Sequence, residues 1–372
     1  MSGATVTGLA YAWTCLNTTV SGTKLPLMRH LLCIFTLSVL LTDGIALAQS
    51  GPMAPPSLSR YVNRPSLTES DLASIKAFVD REAPRLSSAS PTEAVQARTK
   101  LLNDITSSTR RVSPIFREQY TSILEPHLRS AMDGDDIAAA VMAAQVTALL
   151  GTDGAVKMLT EHLNVADEPR NAVRVWAAGG LATLSAAPTV SERRLTRALR
   201  SLSIAAREEP NWAVRRRAIM AMAAAVSNQR GSDAGQKAIR SIAVELLSET
   251  LSDTLRSIGN GKTEFAVTLP IATTALQNTL LIVNSPEEQA KIAEHIVPML
   301  ASSHEAILQS WDAIRQNPRS LAATARFLDE SELLLSILTK SSHENVQLSK
   351  AIVSGNRGPV EEASKRWQQH RG

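Results

Sequence analysis

Asp167-Glu168-Pro169-Arg170-Asn171-Ala172-Val173-Arg174, followed by Ala177, decides the fold because it occurs twice. The second copy begins 41 residues later: Glu208-Glu209-Pro210-Asn211-Trp212-Ala213-Val214-Arg215, followed by Ala218. Both read acid, Glu, Pro, a variable pair, Ala-Val-Arg, a second variable pair, Ala. Proline costs a hydrogen bond inside a helix but suits a helix start. Acids at that start complement the positive end of the helix dipole. Val, Ala and the apolar residues after them recur at helical spacing and pack inward. Each copy is therefore a turn that launches a helix, and a period of this size points to stacked helical repeats.

Working outward, weaker echoes appear. His127-Leu128 with Ala131 recurs as His162-Leu163 with Ala166. Ser302-Ser303-His304-Glu305 recurs as Ser341-Ser342-His343-Glu344, and each Ser-x-x-Glu predicts a capping box between two helices. Helical patterning begins near Thr68, and a second helix opens at Ser90-Pro91-Thr92-Glu93. Together they predict an N-terminal capping hairpin over 68–112. Ser113-Pro114 opens the next helix, which Pro126 should kink or end. Repeats then fill 113–358, and a charged terminal helix caps the stack over 359–372.

These features resemble the HEAT/armadillo-type repeat family, most clearly over 153–184 and 191–227. The resemblance implies an all-α fold: a right-handed α-α superhelix, a solenoid of about six to seven helical hairpins. It implies that second helices line the concave face. It also implies a ladder of polar links between neighbouring turns, built from Asp167, Arg174, Glu208 and Arg215. The family mostly scaffolds protein–protein contacts, and fold alone does not give function.

Met28-Arg29-His30, the apolar run Leu31 to Leu41 and Ala46-Leu47-Ala48 form the three regions of a signal peptide, Met28–Ala48. The expected destination is periplasmic or secreted. Residues 1–27 read as an upstream extension, with Met28 as an alternative start. Residues 49–67, with Pro52, Pro55, Pro56 and Pro65, read as a disordered linker. Cys15 and Cys33 are the only cysteines and precede that mature start, so no disulfide framework is expected. No transmembrane segment is expected in the mature chain. Only 3% of residues are aromatic against 44% hydrophobic, a core composition suited to closely approaching helices.

Charge is the sharpest functional clue. The chain carries only +4, but Arg170 to Arg217 holds ten arginines, no lysine and three acids. Arg193, Arg197, Arg200 and Arg207 share one helix face opposite Leu195, Leu199 and Leu202. With Arg216, Arg217 and Trp212 they are candidates for an anionic or protein partner: an acidic protein face, a polysaccharide, lipid head groups or nucleic acid. An ordinary solvated face is the competing reading. The resemblance puts the stripe on a first helix, on the convex side. Trp176 falls within an apolar face and is expected in the core.

No chemistry-bearing motif survives inspection. Gly259-Asn260-Gly261-Lys262-Thr263 has Arg256 where a phosphate loop needs glycine. His304-Glu305 and His343-Glu344 have Leu308 and Gln347 where a zinc motif needs its second histidine. Glu330 lacks the Gly- and aromatic-rich sequence that follows the catalytic glutamate of helical peptidoglycan-cleaving enzymes, and reads as a helix start or surface residue. No nucleophile elbow or Cys/His pair is present. The expectation is a non-enzymatic, exported scaffold with no catalytic, cofactor or metal residue, binding a protein partner. The alternative is a polyanion-binding module using the Arg-rich face.

Overall fold

Side-chain caps start most of the helices. Thr68 forms a reciprocal capping box with Asp71. Ser113, Thr152, Ser191 and Asn211 each accept a hydrogen bond from a first-turn amide. The computed structural model describes residues 57–106, 112–227, 233–340 and 347–370. The expected extension 1–27, the signal peptide Met28–Ala48 and the Ser341–Glu344 capping box lie outside them.

Among the described residues the α and 3-10 helices are the only regular elements. In chain order these are α1 (Glu69–Glu82), α2 (Pro91–Thr106), α3 (Pro114–Asp133), α4 (Ile137–Leu150) and α5 (Asp153–Glu161). Then come α6 (Asn171–Ser185), α7 (Glu192–Glu208), α8 (Trp212–Val226), α9 (Asp233–Gly259) and α10 (Leu269–Ile282). The last are α11 (Pro286–Gln309), α12 (Trp311–Gln316), α13 (Pro318–Thr339), α14 (Leu348–Ser354) and α15 (Gly358–Arg366).

Alternate helices stack. One row runs α3, α5, α7, α9, α11, each packed on the next. The other runs α2, α4, α6, α8, α10, α13 in the same way. Consecutive helices such as α3 and α4, or α7 and α8, join the rows as hairpins. Substantial packing stays between elements close in chain order. The shared core is leucine and alanine, with Leu128, Leu159, Leu181, Leu199 and Leu247 buried between the rows. Gly180 sets the spacing of α6. A Cβ there would lie 2.5 Å from Leu159 Cδ1 and 2.9 Å from Ala148 Cβ, so the backbones approach more closely than any larger residue permits.

Three expectations need correction, and one apolar segment bears on a fourth. Residues 57–67 are not a free linker: Leu58–Arg60 is a 3-10 turn, Leu58, Tyr61 and Val62 are buried, and Ser113 donates to the Val62 carbonyl at 2.7 Å. Apolar side chains override the prolines' loop signal there. Pro126 neither ends nor divides α3. The carbonyl it deprives of a partner belongs to exposed Ser122 and can take water. Ser302–Glu305 lies inside α11, where the Ser302 hydroxyl bonds back to the Met299 carbonyl instead of capping a new helix. Finally, Thr263–Ile282 is apolar and long enough to cross a membrane. It is a 3-10 segment running into α10, and Phe265, Leu269, Ala272 and Leu276 are fully buried against neighbouring helices, as in an ordinary core helix.

Candidate functional site

The turn preceding α6 and the turn preceding α8 are linked, but by the second acid of each motif. Asp167 and Glu208 are exposed, whereas Glu168 and Glu209 are buried. Arg174 donates from Nε to Glu209 Oε2 at 2.8 Å and from Nη2 to Oε1 at 3.0 Å. Its Nη1 bonds the Glu168 carbonyl at 2.6 Å. This bidentate pair is 1% exposed on both sides and ties one turn to the next. The acid beside the proline points inward because its oxygens also accept the amide two residues on, Arg170 or Asn211.

The two copies then diverge. Glu168 is claimed by Arg170 of its own turn, with Nε at 2.7 Å from Oε1, and by His162 Nδ1 at 3.3 Å. Burial pushes the Glu168 carboxyl up, but the Arg170 hydrogen bonds and charge outweigh it and hold the group below its usual value. At the equivalent place Asn211 has no charge, so Glu209 is free to take Arg174. Arg215 has no such acid. Its Nη2 bonds the Arg207 carbonyl at 2.8 Å, Asp253 stands 4.0 Å away, and the guanidinium lies 4.0 Å over the Phe265 ring. Its Nε and Nη1 find no hydrogen-bond partner among the described residues. Burial lowers its pKa, with Asp253 opposing. The ladder thus has one full rung and one replaced by cation–π stacking.

The candidate arginines do not form one patch. Arg193, Arg197 and Arg200 are exposed on α7 and make no ion pair among the described residues. Arg193, Arg194 and Arg197 line a cavity of about 400 Å³ with Ser191 and Asp153. Asp153 is occupied there, accepting from the Ser191 amide and hydroxyl at 2.7 and 2.6 Å. Arg207 pairs with Glu249 of α9 at 3.6 Å. Arg216 and Arg217 lie on α8, in the opposite row, and are half-buried. Burial, then the neighbouring Arg217, lowers the Arg216 pKa. Trp212 is 40% exposed at the start of α8, and Trp176 is 36% exposed rather than in the core.

The remaining motif residues make contacts within the stack. His304 is fully buried on α11, its Nε2 3.0 Å from Glu332 Oε1, an ion-pair distance at an angle outside hydrogen-bond geometry. Glu332 also accepts from Trp367 Nε1 at 2.7 Å and Arg366 Nη1 at 3.1 Å, so it fastens the last helix to α13. Glu330 sits mid-helix in α13, not at a helix start, and accepts from Arg326 Nε at 2.6 Å and from Thr273. Gly259–Gly261 ends α9, with Gly261 in the left-handed region.

Sequence reasoning missed the partnering acids and one larger feature. Read helix by helix, α4, α6, α8 and α10 contain no Asp or Glu. The Arg170–Arg217 window hides that signal because it spans helices of both rows. No protein-family model matches the chain, and no curated protein is detectably similar to it.

Proposed function

We propose that this protein is an exported, non-enzymatic scaffold that holds a protein partner against its stacked helices. The fold behind this reading is a HEAT/armadillo-like solenoid with right-handed superhelical stacking. Its main support is the packing pattern: helices that pack mainly on elements close in chain order leave long continuous surfaces. The turn-to-turn Arg174–Glu209 link supports the repeat reading further. Export rests on the n-, h- and cleavage-region order of Met28–Ala48.

The test is co-purification after cross-linking of the tagged full chain in its native cell, with mass determination of the chain's N-terminus. One reproducible protein adduct and an N-terminus at Gln49 are expected. A chain that forms no adduct loses the scaffold reading, and retention of residues 28–48 removes export.

A second reading has its own observation. The unpaired Arg193 and Arg197 at the α7 cavity suit a polyanion, since arginine forks match carboxylate and phosphate geometry. Binding to heparin should then weaken steeply as salt rises and be abolished by Arg193→Glu with Arg197→Glu. Salt-insensitive or unchanged binding removes it.

A further inference from the structure

We propose that the outward face of α4, α6, α8 and α10 is a docking surface for an extended polypeptide segment bearing apolar side chains and at least one carboxylate, received by Arg216 and Arg217. This rests on the scaffold reading and names the face and the chemistry of the partner.

The first support is composition by helix. These four neighbouring helices hold no acidic residue, and their only charges are Arg174, Arg215, Arg216 and Arg217. Arg174 and Arg215 are buried. The entire outward face therefore carries two charges, both positive. A helix surface meant only for water carries both signs interspersed along its length. Helices packed on this face's two ends return to that pattern: Glu93 and Lys100 on α2, Arg326 and Glu330 on α13. The acid-free region is thus bounded.

The second support is what replaces the charges. Val141, Trp176, Met220 and Ile271 lie partly exposed on successive helices, and Leu281 is 74% exposed at the end of α10. Partly exposed apolar side chains on each of four successive helices exceed the isolated surface hydrophobe that needs no explanation.

The third support is the missing counter-ion. Arg216 and Arg217 are adjacent, half-buried and like-charged, and neither makes an ion pair among the described residues. The Arg217 side chain lies alongside Gly179 of α6, with Cδ and Nε 4.0 Å from where a Cβ at 179 would be. An incoming carboxylate supplies the charge that α4, α6, α8 and α10 lack. Two guanidiniums are too few to track a phosphate backbone, where affinity scales with the number of neutralised charges. They suffice to fix the register of a peptide whose apolar groups cover Trp176 and Met220.

The experiment is selection of phage-displayed random dodecapeptides on the full chain. Binding is then measured to the parent, to Arg216→Glu with Arg217→Glu, and to Arg193→Glu with Arg197→Glu. Arg216→Gln with Arg217→Gln is a milder pair in case charge reversal perturbs folding. The expected peptides mix Asp or Glu with apolar residues, bind the Arg216/Arg217 variants at least about tenfold more weakly, and bind the Arg193/Arg197 variant as they bind the parent. Peptides without acidic enrichment, or with affinity lost only in the Arg193/Arg197 variant, overturn the assignment while leaving the scaffold reading standing. Selection of no binder also overturns it, and the cross-linking experiment then decides the scaffold reading independently. Dissociation of a dimer by the Arg216/Arg217 variants replaces the peptide with a second copy of the chain.

Discussion

The two rows of helices solve the same packing problem with different materials. The α3–α11 row is laced by ion pairs between successive members: Arg129 with Glu161, Arg207 with Glu249, Arg240 with Glu288. The α4–α10 row has none of these. Ala140, Ala143, Ala177, Ala178, Ala221 and Ala225 bring its helices together instead, and its outward face keeps only two arginines. Surface ion pairs contribute little to stability, roughly 0–1 kcal/mol each, so the first row's charges serve mainly solvation. The proposal of a partner on the second row rests on this omission of charge.

The largest effect should come where the rows meet. Arg174→Met strands the buried Glu209 carboxylate with only the Asn211 amide for company. The expected loss is about 3–5 kcal/mol in urea denaturation. Arg215→Met removes two unpartnered donors, keeps an apolar contact with Phe265 and leaves behind partly exposed Asp253 and the carbonyl of exposed Arg207. It should cost about 1 kcal/mol or less. Equal losses at the two positions would mean that the repeats are energetically alike despite their different partners.

A smaller effect tests the close approach of the alanine-rich row. Gly180→Val places carbon where Leu159 and Ala148 already are, and overpacking of this kind costs about 1–3 kcal/mol. Gly179→Ala, one residue away and with Arg217 at 4.0 Å, should be nearly neutral or slightly stabilising. A reversed order in thermal melts would contradict the described packing of α6 on α4 and α5.

The smallest effect is set by pH. Burial raises the Glu332 carboxyl, but His304, Trp367 and Arg366 outweigh it and hold the group below its ordinary 4.5. Its contribution is therefore full above about pH 4.5 and lost as pH falls through the lowered value. Hydrogen exchange on acidification should loosen α15, which Glu332 fastens to α13, before the rest of the stack. Uniform loosening of all helices would contradict this role for Glu332.

Much of the fold was legible because turn chemistry is local. Pro169 and Pro210 mark the turns before α6 and α8, and Ser113 and Ser191 mark caps the structure retains. Local patterns misled where tertiary packing overrode them. Ser302–Glu305 has the letters of a capping box, yet nothing upstream stops α11. Which acid of a Glu-Glu pair faces inward depends on a one-residue register that sequence leaves open, so Asp167 and Glu208 stood in for Glu168 and Glu209. Trp176 reads as core because α6 carries no acid and only the one, buried, arginine. The same fact, counted by helix rather than by window, is the mark of the docking face.

The most direct test places a photo-cross-linking amino acid at Val175 and Met220, on the acid-free row, and at Arg200 and Ile204, on the charged row, of the full chain in its native cell. Adducts to one common protein from Val175 and Met220, and none from Arg200 and Ile204, are the predicted result. Adducts from Arg200 and Ile204 alone would place the partner on the wrong row and contradict the account.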